Sequence, residues 1–259
     1  MQATCRAVEH YGNFATASTN RIDQGRDIMR YLQKTLAAIG LSFVTATAFA
    51  STASPVNNVD YQTFDKAMPT ESTGAKVEVL EFFSYSCPFC NAFDPELAAW
   101  VKSKGDTIVF KRVPLHIHEG DETLQKLYYT LEAMGILEQY HSKVFEAIHV
   151  QHHPFDSEEA VVDIMTRLGV DRAKFLSVYD SFSIAPKVQR SNQLAQQYQV
   201  SDVPQLEIDG RYRASIGITV KSIGSKPQPE LADATLKVSD WLVAKAAKEH
   251  KPQTASAKK

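Results

Sequence analysis

The stretch EFFSYSCPFCNAF, residues 81–93, decides how this chain folds. An acid, Glu81, interrupts an apolar run, and two cysteines follow with only Pro88 and Phe89 between them. Upstream, KVEVLEFFSYS (76–86) is rich in Val, Phe and Tyr and only partly alternating, the pattern of a mostly buried central strand. Downstream, CPFCNAFDPELAAWVKSKG predicts a helix with Pro88 in its first turn, where proline is tolerated. Pro95 lies inside that helix and is expected to kink it. TIVFKRVPL (107–115) reads as a second strand. Strand, helix, strand is the opening of a βαβ unit.

Further along, the character changes. From Glu119 to about Tyr198 the chain reads almost wholly helical. Gly135 and Gly169 close two of the helices, and Ser157 with Glu159 opens another. Strand patterns then return in PQLEIDGRYRAS, two short runs joined by Asp209-Gly210, a strong hairpin signal. Gln205 and Glu207 give the first of these runs a polar face, expected to be the less buried one. ELADATLKVSDWLVAKAAK closes the chain as an amphipathic helix. The order is β-α-β, a helical insert, then β-β-α: an α/β domain on one sheet, divided by the insert.

The N-terminal part has a different logic. Residues 1–28 are polar and without hydrophobic period, and read as an upstream extension before the true start at Met29. Residues 29–50 read as a signal peptide: Arg30 and Lys34 are the basic start, Leu36 to Phe49 the apolar run, and Ala48-Phe49-Ala50 the cleavage site. The run is shorter than the roughly 20 residues of a bilayer-spanning helix. Cleavage removes Cys5 and leaves Cys87 and Cys90 as the only cysteines of an exported chain, bound for an oxidising compartment. The remaining 23 Lys+Arg against 27 Asp+Glu form an ordinary soluble surface, with no basic field for nucleic acid. Residues 51–75 are a lead-in with a weak element near Tyr61 to Phe64. Residues 76–118 and 189–248 are the two parts of the α/β domain, 119–188 the helical insertion, and 249–259 a polar tail.

Two cysteines three apart at a strand-to-helix junction have a physical reading. The helix N-terminus offers unpaired N–H groups that favour a thiolate at Cys87. Cys90 lies one turn further on the same face, close enough to form a small disulfide. The first thiol is expected to be exposed and nucleophilic, the second shielded and able to resolve a mixed disulfide. Other uses of the pair stay open at this point. The thiols could be structural, or could bind zinc together with His116 and His118 of LHIHEG.

With VPQLEIDG more than a hundred residues after the C-P-x-C, and a helical block and an export signal besides, the chain resembles the DsbA-type periplasmic thiol:disulfide oxidoreductases over about residues 60–245. The resemblance implies a thioredoxin fold with an inserted all-helical domain. A depressed cysteine pKa and an oxidising potential are known properties of that family and not readings of these residues. It further implies a cis-proline at Val203-Pro204 beside the cysteines, where the backbone pairs with bound peptide. Pro88 and Phe89 would form the rim of that site. Pro95 matches the kink proline of the family's active-site helix. An acid stands at the place of Glu81, where burial would raise its pKa and let it carry a proton for Cys90; Lys111 on the next strand is a candidate partner. The redox-active disulfide Cys87–Cys90 replaces any bound cofactor or metal. The implied partners are reduced or unfolded exported proteins and a DsbB-like membrane quinone reductase, met by a monomer in the periplasm. One departure is plain: Phe89 stands where the best-known family pattern has a histidine able to stabilise the thiolate. A disulfide isomerase or reductase of the same superfamily, and a peptide-binding chaperone, are the alternative functions.

Overall fold

Strand β2, Val77–Phe83, is buried along its whole length because it has a paired strand on each side and both faces of the sheet are covered. A computed structural model describes residues 54–72 and 76–250. The extension, signal peptide, Cys5 and residues 251–259 lie outside the described residues. The sheet runs β1 (Gln62–Thr63), β5 (Tyr212–Ser215), β4 (Gln205–Ile208), β2, β3 (Ile108–Pro114). β2 pairs in parallel with β3 and antiparallel with β4; the remaining pairs are antiparallel. The parallel pair is bridged by helix α1, Pro88–Lys104, as a βαβ unit requires. This is the thioredoxin arrangement with a helical insertion.

The two faces of the sheet are covered differently. Val77 and Val79 of β2, with Leu206 and Ile208 of β4, pack against Phe93 and Leu97 of α1 and Leu231, Leu242 and Val243 of α8 (Gln228–His250). Leu80 and Phe82 face the other way, onto Tyr198 and the partly buried Phe64, Met68 and Leu194. The insertion consists of α2 (Glu122–Ala133), α3 (Leu137–His149), α4 (Glu158–Arg167), α5 (Arg172–Tyr179) and α6 (Ile184–Gln197). Helix α6 runs unbroken across residues 188 and 189. The core of the insertion, with Leu127, Leu131, Val144, Phe145 and Met165, is continuous with Phe83, Tyr85, Cys87 and Cys90. Both thiols therefore sit at the seam between insertion and sheet.

Local signals acted as the sequence suggested. Ser157 caps α4 by accepting from the Ala160 N–H at 3.2 Å, with Glu158 and Glu159 in its first turn. Asp209 and Gly210 both take positive φ, 58° and 60°, as the central residues of the tight turn closed by the Arg211 N–H on the Ile208 carbonyl need. Three features differ. The polar face of β4 is fully buried, because the C-terminal end of α6 and the lead-in cover it. There Gln205 donates to Glu207 at 2.6 Å and Arg213 Nε donates to the same oxygen at 2.9 Å. Burial pushes the Glu207 carboxyl up to about 8 against the pull of Arg213. A short helix, α7 (Ile216–Ile223), unassigned in the sequence, starts at Ser215, whose hydroxyl accepts from the Ile218 N–H. Finally, α8 extends to His250, which lies 2.7 Å from Asp209, while Tyr212 donates to Glu249 at 2.8 Å. Among the described residues no helix is long and apolar enough to cross a membrane.

The hairpin gives a first test of the fold. Met68 N–H donates to the Gly210 carbonyl at 2.8 Å, and a Cβ on Gly210 would collide with the Met68 carbonyl oxygen. Gly210→Ala adds this clash to a left-handed backbone cost of roughly 1–2 kcal/mol. The urea midpoint should fall by the equivalent of about 2 kcal/mol or more, with the slope unchanged.

Candidate functional site

Helix α1 begins where β2 ends, so its first turn projects from the end of the sheet. Cys87 is the N-cap residue, and its sulfur accepts from the Cys90 N–H at 3.4 Å. Both thiols are free. The expectation of an exposed first thiol needs correction: Cys87 is only 4% exposed, and Cys90 is completely buried. The Val203 carbonyl lies 3.6 Å from the Cys87 sulfur and accepts its proton, and the Val203-Pro204 bond is cis. The exposed part of the rim is Pro88 and Phe89, the latter 50% exposed.

The two thiols differ in acidity for local reasons. The contact with Cys90 and the N–H groups of Cys90 and Phe89 pull the Cys87 thiol down to about 7, against its burial. Burial pushes the Cys90 thiol well above its ordinary range, reinforced by the Cys87 contact and by the nearby charge of Glu81. A proton thus leaves Cys87 near neutral pH and stays on Cys90.

Behind Cys90 lies a group of buried charges. Glu81 is 2% exposed, so it is not a strand-end acid facing water. Its partner is Arg112, whose Nε donates to Oε2 at 3.0 Å. Lys111 is not the partner. The parallel register sets Glu81 opposite Arg112 and Leu80 opposite Lys111, and alternate residues face opposite sides of a sheet. Lys111 accordingly pairs with Glu71 and lies 3.7 Å from Glu78 on the far face. Arg112 Nη2 also donates to Asp94 Oδ1 at 3.0 Å. Burial raises the Glu81 carboxyl to about 7, with Arg112 opposing and Asp94 adding to the rise.

The sequence reading missed several of these residues. Asp94 lies four residues after Cys90 and seven after Cys87, a spacing that puts all three on one helical face, and this signal was available. His141 of α3 is 3.2 Å from Asp94, and its Nδ1 accepts from the Tyr85 hydroxyl at 2.7 Å. Asp121 clasps the approach to the thiols: Oδ2 accepts from Ser86 Oγ at 2.6 Å and from the N–H groups of Ile117 and His118. Of the two histidines weighed as zinc ligands, His116 is directed at Gln125, 3.1 Å away. Among the described residues no group of three or more His, Cys, Asp or Glu is placed to hold a metal.

A thioredoxin frame carrying two thiols of unlike acidity at the start of its first long helix defines a thiol–disulfide exchange protein. Comparison with known proteins agrees. Residues 78–235 match the DSBA-like thioredoxin domain family. The chain is 36% identical over 191 residues to the thiol:disulfide interchange protein DsbA of Burkholderia cepacia, covering 74% of this chain and 90% of the relative. It is 40% identical over 180 residues to the DsbA of Bordetella parapertussis, covering 70% and 84%. The crystal structure of Pseudomonas aeruginosa DsbA superimposes with a TM-score of 0.66 at 33% identity, over 74% of this chain and 94% of that one. The chain belongs to the DsbA family of thiol:disulfide interchange oxidoreductases. The activity of that family is dithiol oxidation, carried by a redox-active disulfide.

The acidity of Cys87 has a measurable consequence. A thiol whose folded pKa is depressed adds stability that is fully present above its unfolded value near 9 and is lost as pH falls through about 7. Reduced protein should therefore gain on the order of 2 kcal/mol over reduced Cys87→Ser between pH 6 and pH 9. Urea unfolding under a non-thiol reductant reads this difference. A flat or opposite trend would mean that Cys87 is not the acidic thiol.

Proposed function

We propose that Cys87 is the thiol that exchanges with client proteins, that Cys90 is its resolving partner, and that Glu81 carries the proton of Cys90. In the oxidising direction a client thiolate attacks Cys87 Sγ of the Cys87–Cys90 disulfide. The S–S bond breaks, its electron pair goes to Cys90, and the Glu81 carboxyl protonates that sulfur. A second client thiolate then attacks the client sulfur of the mixed disulfide. Cys87 leaves as a thiolate, and the client carries a new disulfide. Two electrons pass to the protein's thiols.

The single observation behind this reading is the unlike acidity of the two sulfurs. Cys87 leaves readily near neutral pH, whereas Cys90 leaves only with a proton, and Glu81 at about 7 suits the transfer. Val203 and Pro204 would line the peptide site, since the Val203 carbonyl borders the reacting sulfur. Pro88 and the half-exposed Phe89 would contact apolar client segments or a membrane partner. The signal-peptide pattern of residues 29–50 supports export to the periplasm, where the protein would act as a monomer. Reduced, newly translocated proteins would be the clients, and a DsbB-like quinone reductase would restore the disulfide.

Trapping tests the roles. Cys90→Ala leaves Cys87 free to attack client disulfides with nothing to resolve the product. Mixed disulfides should accumulate in cell extracts and vanish with reductant, while Cys87→Ala should form none. If instead Cys90 is alkylated faster than Cys87 at neutral pH, the two roles are exchanged.

A reducing enzyme is the second reading, favoured by Phe89, which cannot hydrogen-bond to a thiolate as histidine can. Equilibration with glutathione separates the two. The wild-type pair should be more oxidising than glutathione, and Phe89→His should favour reduced enzyme by about a further tenfold, equivalent to about 30 mV. A wild-type pair that stays oxidised against excess reduced glutathione would establish the reducing role.

A further inference from the structure

One guanidinium, that of Arg112, lies between two buried carboxylates, Glu81 of β2 and Asp94 of α1. A single positive charge cannot compensate both, so one proton is retained by the pair into the neutral range. The two carboxylates are not equivalent, and the difference comes from helix α3 of the insertion. Asp94 receives Arg112 Nη2 at 3.0 Å and Ser142 Oγ at 3.3 Å. His141 Nε2 stands 3.2 Å from Asp94 Oδ1, an electrostatic contact without hydrogen-bond geometry. Glu81 receives only Arg112 Nε from a side chain. The His141 ring is 4% exposed and caged by Phe83, Tyr85, Tyr128 and Phe145. The Tyr85 hydroxyl, held protonated by burial, donates to Nδ1, which assigns the ring proton to Nε2, facing Asp94.

We propose that His141, with Ser142, is a positioning residue that decides which carboxylate carries the proton: the Nε2–H pole of the ring and the Ser142 hydroxyl fix Asp94 as the permanent anion and leave Glu81 as the group that gains and loses one. This rests on the reading that Glu81 exchanges a proton with Cys90. The other charged or titratable groups facing the pair are Cys90 from α1, Tyr85 from the loop after β2, Tyr128 from α2 and Glu138 from α3. Glu138 is exposed and lies 3.9 Å from Arg112 Nη1. None of them donates to either carboxylate. The balance of acidities agrees. Although burial raises the Asp94 carboxyl, His141, Arg112 and Ser142 together hold it below its ordinary value, while Glu81 rises. Burial lowers the His141 imidazole more than Asp94 raises it, so the ring faces Asp94 as a neutral imidazole.

The consequence for chemistry is specific. Of the two carboxylates, Glu81 is the one whose charge raises the Cys90 thiol, so its proton is the one placed to be handed to that sulfur. Without the α3 donors, Asp94 competes for the proton, and Glu81 is left ionised against Arg112, unable to protonate the leaving sulfur.

Carboxyl-carbon NMR titration of the oxidised protein reads the placement directly. In wild type, Glu81 should titrate near neutral pH and Asp94 should stay ionised from pH 5 to 8. His141→Leu, combined with Tyr85→Phe so that no hydroxyl loses its acceptor, should move a titration step onto Asp94 and diminish the one on Glu81. Oxidation of a reduced dithiol peptide should slow about tenfold at pH 7, below the roughly 10²–10⁴-fold that a positioned proton donor supplies, because the transfer is weakened and not abolished. Tyr85→Phe alone should keep the step on Glu81. His141→Gln, whose amide can still donate to Asp94, should keep it there too, which a purely space-filling role of His141 would not predict. Asp94 titrating in wild type, or Glu81 keeping its full step in the double variant, would overturn the inference. Glu81→Gln probes the underlying reading separately: unchanged peptide oxidation in that variant would remove Glu81 from the proton transfer, whatever the titrations show.

Discussion

Arg112 is the constraint on which the active-site end of the molecule depends. It is buried, and its guanidinium links three elements: its own strand β3, the central strand β2 through Glu81, and helix α1 through Asp94. Removing one partner of such a buried group leaves an uncompensated charge, which typically costs 3–5 kcal/mol. The two carboxylates likewise tie α1 to the sheet one turn beyond the cysteines. The thiols are thus held against a charged floor and not against a purely apolar one. Burial does most to distinguish the two sulfurs, and the Glu81 charge adds to it. Cys90 rests above the floor and is kept protonated, while Cys87 lies at the helix end with backbone N–H groups directed toward it.

Much of this fold was readable because its signals are local. The β2 run, the proline in the first turn of α1, the Ser157 cap and the Asp209-Gly210 hairpin each declare themselves within a few residues. What failed to show depends on contacts far apart in sequence. The polar face of β4 looked half-exposed, because nothing in QLEI reveals that the end of α6 and the lead-in cover it. Arg213 makes that burial tolerable from the neighbouring strand, donating both to Glu207 and to the Tyr198 carbonyl. Choosing Lys111 over Arg112 was an error of one residue. In a sheet one residue is the whole difference between two faces, and only the β2–β3 register settles it.

The site was legible in a similar way. Cys87, Cys90 and the Val203-Pro204 segment were singled out from motif and resemblance, and the fold brings the Cys87 sulfur to 3.6 Å from the Val203 carbonyl, more than a hundred residues away. Glu81 was found as an acid in the wrong surroundings for an ordinary strand. Asp94 could have been found by helical spacing. His141 could not, because it comes from an insertion whose helix would look the same with any small polar residue at that position. Cys87 proved less exposed than a helix end suggests, since the loop before Pro204 closes over the sulfur.

The insertion therefore has a role beyond covering one end of the sheet. A thioredoxin-type sheet with α1 alone would leave Tyr85, Cys90 and Asp94 at a solvent boundary, where screening would weaken every charge interaction among them. The aromatic side chains of α2 and α3 exclude water from that boundary, and in the drier seam the same few charges have larger effects. Dry surroundings also make an unpaired polar atom costly, so each element closing the seam must bring its own partners. Tyr128 donates to the Arg112 carbonyl, His149 to the Tyr85 carbonyl, and Asp121 receives Ser86. Exclusion of water and supply of hydrogen bonds are thus a single requirement, and it explains why an otherwise apolar helical core turns polar where it meets the two cysteines.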